Sequence, residues 1–562
     1  MPVTNRHLAY SVLARSLIAW AVGALVGIMT FLVEVVVGPA VFGWGRLAAY
    51  SLVGGAVATI SRSLLATVVS APAARAGALG ALSAFGSLHA LYYVNVRLLP
   101  SEHYLSSESL VADALVALPV LAAALLLGRA RWAQAMRERW AHVGAALGAV
   151  SLVASLVVVV VAVPSPGTDP ERHAEGPDLV LVVLDSMRAD RLSSGSSHPA
   201  TPQLSRLTAR GRVYTSAWAA SSWTVPSVVQ LLAATAPGEK QTLAERLTGR
   251  GYTTACFTDN AHLSKGAQFL RGFDRVERSA GRWRLLVLGT ALGELLERLV
   301  PGSDERLVTK AVAWMGHRPG PFFLYVHFMD SHTPYRFPPL DGRRHPGRRI
   351  EFPRTGMRVT AEESDSIRAR YDGGVHSADA QMGRLLAAVA ARGRPFLAVI
   401  TSDHGESLGE DGRWFHGQSL APELLAVPLV VLGEGVKPNA VASPVGHAAI
   451  VPTLLAAASV PCSDCAGPDL RREAAPGIIA GGLPPRFAYR INGRYKLLLD
   501  LETGRCSLYD RRSDPAERID IASREPDVAQ ALASGLTADA RLPETQREYL
   551  ERLRSLGYVG GS

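Results

Sequence analysis

The pattern of apolar positions changes character once along this chain, near residue 164. Ahead of that point, apolar residues crowd into stretches at about 16–37, 47–70, 77–96, 110–128 and 144–163. The last of these, GAALGAVSLVASLVVVVVAV, holds twenty residues without a charge. At about 1.5 Å rise per residue, a helix of that length is about 30 Å long, the depth of a bilayer core. The stretch at 47–70 is the weakest, because Arg62 interrupts it. Soluble helices rarely stay uncharged for so long, so residues 1–164 read as a bundle of about five transmembrane helices. Four further spans follow the first, so the opening span does not read as a cleaved leader.

Residues 165–177 form a polar linker rich in Pro and Gly. The pattern then becomes that of an α/β domain. DLVLVVLD (178–185) is a continuous β-branched run that predicts a fully buried strand ending in a carboxylate. TTACFT (253–258), PFFLYVHF (321–328), PFLAVITSD (395–403) and VPLVVLG (427–433) predict further strands. Between them TPQLSRLTARG, TLAERLTGRG and SADAQMGRLLAAVAARG carry helical spacing, each closing on a Gly suited to a helix C-terminus. Strand and helix alternate, which predicts a doubly wound, mostly parallel sheet with helices on both faces. Ligands bind such sheets at the carboxyl ends of the strands.

Charge refines the topology. The loop GRARWAQAMRERW holds Arg129, Arg131, Arg137 and Arg139, and the segment before the first span holds Arg6 and Arg15. Arg-rich short loops stay in the cytoplasm, so an odd number of spans delivers everything after residue 164 to the outer side of a bacterial-type inner membrane. The net charge of +9 is modest for 562 residues. Part of it sits in one Pro/Gly-rich loop with Arg336, Arg343, Arg344, Arg348, Arg349, Arg354 and Arg358. That loop reads either as a solvated surface or as a collar attracting anionic head groups or polymers. No nucleic-acid-binding motif accompanies these arginines and the domain reads as facing away from the cytoplasm, which argues against nucleic acid as a partner. Four cysteines are too few for a disulfide scaffold; Cys462 and Cys465, in CSDC, could close a small local bridge.

The strand ends carry the candidate chemistry. Asp185 and Ser186 follow the first run, His327, Asp330 and His332 end or follow the third, and Asp403 and His404 follow the fourth, with His416 soon after. Three such ends can converge on one divalent cation. A mixed oxygen and nitrogen set suits zinc or manganese, with calcium and magnesium the alternatives. Thr224, in SSWTVPSVVQLLAA, stands two residues before Pro226 at the mouth of an apolar helical run. Taken by itself it reads as a helix cap.

LVVLDSMRADRL, SSWTVPS, GYTTACFTDNAHL, HFMDSHTPY, SDHGESLGEDGRWFHG, VPTLLAAASV and YKLLLDLETGRCSLYDRRSDPAERIDIA resemble, in order, the signature blocks of the sulfatase family, within the alkaline-phosphatase superfamily. The resemblance runs from about 178 to a closing LRSLGYV near 560. It implies an alkaline-phosphatase-like catalytic domain at 178–460 and a C-terminal subdomain at 461–562. It also implies a metal held by Asp185, Thr224, Asp403 and His404, with Thr224 the nucleophile. His332 and His416 would grip ester oxygens or protonate the leaving group, with His262 a further candidate. Four positions depart from the sulfatase pattern. Thr224 replaces the Cys or Ser that becomes formylglycine, and Val228 replaces the Arg of that block. Ser186 stands at the second acidic ligand, and Asn260 stands where a lysine is expected. An unmodified Thr behind five membrane spans is similar to phosphoethanolamine transferases and lipoteichoic-acid synthases of the same superfamily.

Three functions follow as expectations. One is a membrane-anchored metalloenzyme that cleaves or transfers a sulfate or phosphate ester at the cell envelope. The second is a transferase moving phosphoethanolamine or phosphoglycerol from a lipid to an envelope lipid or glycan. The third is a non-catalytic descendant that binds an anionic polymer.

Overall fold

The central sheet is built from eight strands, in chain order β1 (Asp178–Leu184), β2 (Arg212–Tyr214), β3 (Thr253–Thr258), β4 (Arg275–Glu277), β5 (Phe322–Phe328), β6 (Phe396–Thr401), β7 (Leu429–Gly433) and β8 (Asn439–Val441). They belong to a computed structural model that describes residues 172–536 apart from 173, 193–198, 234–240, 261, 264–266, 280–302, 343–357, 466, 473–478, 484–485 and 535. The five apolar stretches of 1–164, Arg343 to Arg354 of the basic loop and the closing LRSLGYV lie outside the described residues. Among the described residues no helix is long and apolar enough to cross a membrane.

Strand order is β8-β2-β7-β6-β1-β5-β3-β4. β1 sits between β5 and β6, parallel to both, and all seven of its residues are buried. Its alternate side chains feed two cores. Leu179, Leu181 and Val183 pack with α2 (Thr224–Ala233), α3 (Leu243–Gly249) and α6 (Ile450–Ala457). Val180, Val182 and Leu184 pack with α1 (Pro202–Thr208), α4 (Ser303–Gly316) and α5 (Ala361–Ala391). A strand period of two with both faces apolar is why these runs read as uninterrupted hydrophobic segments.

The expectation of a mostly parallel sheet holds, with one reversal. β7 pairs antiparallel with both β6 and β2. Between β6 and β7 lie the short antiparallel ladder of Ser407–Leu408 with Trp414–Phe415 and a four-residue helix, Pro422–Leu425. The helix expected at 377–393 begins much earlier. α5 runs from 361 under a capping box in which Thr360 and Glu363 exchange side-chain-to-backbone bonds. Gly373 and Gly374 stand inside it; a Cβ on either would lie 2.2 Å from a carbonyl oxygen, of Pro338 and Asp330 respectively. The helix therefore packs directly on the backbone that leads to His332.

Beyond the central sheet, β9 (Ile479–Leu483), β10 (Phe487–Ile491), β11 (Tyr495–Asp500) and β12 (Cys506–Asp510) form an antiparallel sheet covered by α7 (Pro526–Ala533). Cys462 and Cys465 are disulfide-bonded, while Cys256 and Cys506 are free.

Candidate active site

Four chain segments deliver one buried cluster. Asp185 caps the end of β1, His327 is the penultimate residue of β5, Asp403 and His404 follow β6, and Thr224 opens α2. Asp185, His327, Asp403 and His404 are fully buried and Thr224 is 3% exposed. One ligand atom from each of Asp185, Asp403 and His404 lies within 4.8 Å of the others. Thr224 Oγ1 stands 3.3 Å from His404 Nε2.

Both oxygens of Asp185 and one of Asp403 are hydrogen-bonded. Asp185 Oδ2 is 2.9 Å from His327 Nε2 and accepts from Asn260 Nδ2 at 2.9 Å. Its Oδ1 accepts from Ser186 Oγ at 2.9 Å. Asp403 Oδ1 accepts from the backbone N–H groups of Ser186, at 3.2 Å, and of His404, at 2.9 Å. Ser186 reaches this position at φ +60, a left-handed conformation unusual for a residue with a side chain. Burial would raise the Asp185 carboxyl, but the imidazoles of His332, His327 and His404 outweigh it and hold it well below the usual carboxylate range. Burial likewise opposes a charge on His327, yet the bond to Asp185 and the charges of Asp185 and Asp403 lift its basicity.

The free atoms of this cluster fit a cation. His404 Nδ1 lies 2.8 Å from the Gly405 carbonyl, which can only accept, so Nδ1 carries the proton. Burial lowers the basicity of His404, so its Nε2 presents a lone pair. That lone pair faces Asp403 Oδ2 at 3.4 Å and Asp185 Oδ1 at 3.9 Å. Asp403 Oδ2 is buried and has no hydrogen-bond partner. Acceptors converging on an unsatisfied buried oxygen are costly, and a metal ion is the usual remedy. The second grouping of ligand types, Cys462, Asp464 and Cys465, offers no thiolates, because its sulfurs are joined to each other.

A layer of imidazoles covers the cluster. The His416 ring centroid is 4.3 Å from that of His404 and 5.1 Å from that of His332. His416 Nδ1 is 2.9 Å from Glu406 Oε1, and Tyr335 donates its hydroxyl to Glu406 Oε2 at 2.9 Å. Burial, reinforced by His332, pushes the His416 imidazole down to about 3, and burial pushes the Glu406 carboxyl up to about 7. Phe415, just before His416, holds φ +80, a second left-handed residue beside the site. His262 is partly buried; burial lowers its basicity, and the charges of Asp185 and His332 act on it.

The structure thus brings Asp185, Thr224, Asp403 and His404 together, with His416 and His332 beside them and His262 within electrostatic range. Ser186 contributes its backbone N–H to Asp403 and its hydroxyl to Asp185. Val228 is fully buried in the apolar core, so α2 presents no cation one turn after Thr224. Asn260 steadies the Asp185 carboxylate with its amide. Sequence reasoning counted His327 among the strand-end groups without giving it a role of its own, and passed over Glu406. A histidine inside an otherwise apolar strand, and a glutamate two residues after His404, were the available signals.

A family model described as Sulfatase matches residues 177–460. The chain is 42% identical over 82 residues to the low-salt glycan biosynthesis sulfotransferase of Haloferax volcanii, covering 14% of this chain and 20% of that protein. It is 26% identical over 211 residues to arylsulfatase K of Bos taurus, covering 33% of this chain and 39% of that one. It therefore spans about a fifth to two fifths of the length of these curated relatives. The crystal structure of a phosphonate monoester hydrolase of Agrobacterium radiobacter has a similar fold, with TM-score 0.52 and 20% identity over 64% of this chain and 95% of that one.

Proposed function

Because the chain belongs to the sulfatase family, we propose that it is a metalloenzyme that cleaves or transfers a sulfate or phosphate ester through Thr224. The observation that carries this reading is the buried Thr224 hydroxyl 3.3 Å from His404 Nε2, beside two aspartates that share one site with it. Asp185, Asp403, His404 and Thr224 would hold one divalent ion, for which the mixed oxygen and nitrogen donors favour zinc or manganese. Such an ion lowers the pKa of a bound hydroxyl and neutralises charge on ester oxygens.

The chain's own residues account for the rest. Thr224 Oγ1 attacks the phosphorus or sulfur, its bond to that atom forms, and the bond to the leaving alcohol oxygen breaks. Thr224 is the first residue of α2, where free N–H groups and the helix dipole favour the anionic oxygens of the ester. His332 and His416 line the approach for the non-bridging oxygens and the departing alcohol. Asn260, neutral where related enzymes have lysine, leaves that charge balance to the imidazoles. Water then resolves the threonine ester in hydrolysis, or an acceptor hydroxyl does so in transfer. A protein that only bound a polymer would have no need of these four converging buried groups.

Transfer has its own support. The Haloferax relative is named as a glycan biosynthesis sulfotransferase. The five apolar stretches of 1–164 would anchor the enzyme in a bacterial-type inner membrane within reach of a lipid donor, with an envelope lipid or glycan as acceptor. The Arg bias of the loops favours an extracytoplasmic catalytic domain, and the Cys462–Cys465 disulfide suits an oxidising compartment.

The test is intact mass spectrometry of the full-length chain after incubation with membrane lipids, alongside turnover of aryl sulfate and aryl phosphate esters. A phosphoryl, phosphoethanolamine or sulfuryl adduct on Thr224, absent from Thr224→Ala, supports the reading. Undiminished turnover in Thr224→Ala ends it.

A further inference from the structure

One buried imidazole outside the cluster touches the chain segments on both sides of it. His447 is 2% exposed and lies between the segment that runs into Thr224 and the segment that begins Asp403–His404. Its Nδ1 is 3.2 Å from the Ala220 N–H, and its Nε2 is 3.0 Å from the Ser402 carbonyl. A backbone N–H can only donate and a carbonyl can only accept. The two contacts therefore select one neutral tautomer, with the proton on Nε2 and the lone pair on Nδ1. Burial, which pushes this imidazole down to about 3, agrees with the neutral form.

The two ends of this link are close to the chemistry in sequence as well as in space. Ser402 directly precedes Asp403, and its hydroxyl donates to the His404 carbonyl at 2.6 Å while accepting from Met187 N–H at 2.9 Å. On the other side, the backbone from Ala219 to Ser221 is bonded at every polar atom. Ala219 N–H donates to Leu425 O at 2.7 Å and Gly482 N–H donates to Ala220 O at 2.9 Å. Tyr489 donates to Ala219 O. Ser221 N–H and O both engage Ser227 Oγ, at 3.2 and 3.1 Å. These bonds hold the segment rigid, and His447 is the partner that ties it to Ser402.

We infer that His447 is a positioning residue that sets the separation of Thr224 from the Asp403–His404 pair by bonding the backbone on both sides, an inference resting on Thr224 as nucleophile. Glutamine presents an acceptor and a donor at nearly the spacing of the two imidazole nitrogens, so His447→Gln keeps the link and His447→Phe cuts it.

The experiment compares full-length wild-type, His447→Phe and His447→Gln chains by ester turnover and by amide hydrogen exchange of residues 217–223. His447→Phe is expected to lower kcat on the order of 10²-fold, the effect of a displacement near 1 Å. KM should stay within about threefold, because the ester's own contacts survive. Exchange of residues 217–223 should rise in the same variant, and His447→Gln should restore both quantities most of the way. His447→Asn, too short to bridge both groups, makes the same cut if the phenylalanine chain fails to fold. Wild-type kcat and wild-type exchange in the cut variants overturn the inference, and so does a glutamine chain no better than the phenylalanine one. If wild-type protein turns over no ester, the Thr224 assignment falls, while the exchange pattern still decides whether His447 holds Ala220.

Discussion

Asp403 Oδ2 lies 3.4 Å from His404 Nε2 and, though buried, accepts no hydrogen bond. Two acceptors held this close lose energy in the folded chain unless a cation separates them. Metal should therefore stabilise the fold as well as activate it. At a free metal concentration a hundredfold above Kd, the gain is about 2.7 kcal/mol. The thermal midpoint should fall when a chelator strips the protein and recover with zinc or manganese. Asp403→Asn should lose most of that difference. A midpoint indifferent to metal in the wild-type chain would remove the cation from this site.

Glu406 reaches His416 from ten residues away, at 2.9 Å, and Tyr335 holds its other oxygen. A carboxylate bonded to one ring nitrogen fixes which edge of the imidazole faces the reacting group. Removing such a partner commonly costs about 10–100-fold in activity. Glu406→Ala should lower kcat by that amount with little change in KM, and Glu406→Gln, which still accepts at the same place, should recover much of it. Steady-state kinetics of both variants decide the matter. Equal losses in alanine and glutamine variants would mean that Glu406 acts by charge alone.

Gly374 lets α5 rest on the backbone of Asp330 and Ser331, immediately before His332. An added methyl would sit 2.2 Å from Asp330 O, a contact with backbone that cannot swing away. Gly374→Ala should cost about 1–3 kcal/mol of stability by overpacking and should depress turnover through displacement of His332. Gly249, at the end of α3, makes the control, since nothing lies within 4 Å of its missing Cβ. Gly249→Ala should be neutral or gain up to about 1 kcal/mol from helix propensity. Thermal melts of the two variants side by side separate a steric role from general intolerance of alanine.

The strands were legible because burial on both faces leaves no polar interruption. TTACFT corresponds to β3 residue for residue, and PFFLYVHF and PFLAVITSD differ from β5 and β6 by only a few terminal residues. Direction is not written in such a pattern, so the reversal of β7 was not legible. The first half of α5 was hidden by its own composition, AEESDSIRARYDGG, in which charges and two glycines blur the helical stripe. At the site, Asp185, Asp403 and His404 stood out because they end strands. His327 pairs with Asp185 across 142 residues and His447 with Ala220 across 227, and a single sequence does not encode such distances.

Asp379 is 2% exposed and accepts the N–H groups of Gln203 and Leu204 at 2.7 and 2.8 Å, at the start of α1. Burial pushes its carboxyl up to about 6, despite those two bonds and the nearby His376 and Arg206. In the unfolded chain an aspartic acid titrates near about 3.9. Between about pH 4 and 6 the folded protein therefore keeps a proton that the unfolded chain has released, and stability falls as pH rises through that window. The contribution is fully present below about pH 4 and lost above about pH 6, with a span of at most about 3 kcal/mol. Asp379→Asn carries no titrating group, so its thermal midpoint should depend less steeply on pH across the same range. Midpoints of wild-type and variant chains at pH 4, 5, 6 and 7 test this directly. Curves that run parallel would show that the Asp379 carboxyl titrates alike in both states, and that the two amide bonds fully offset its burial.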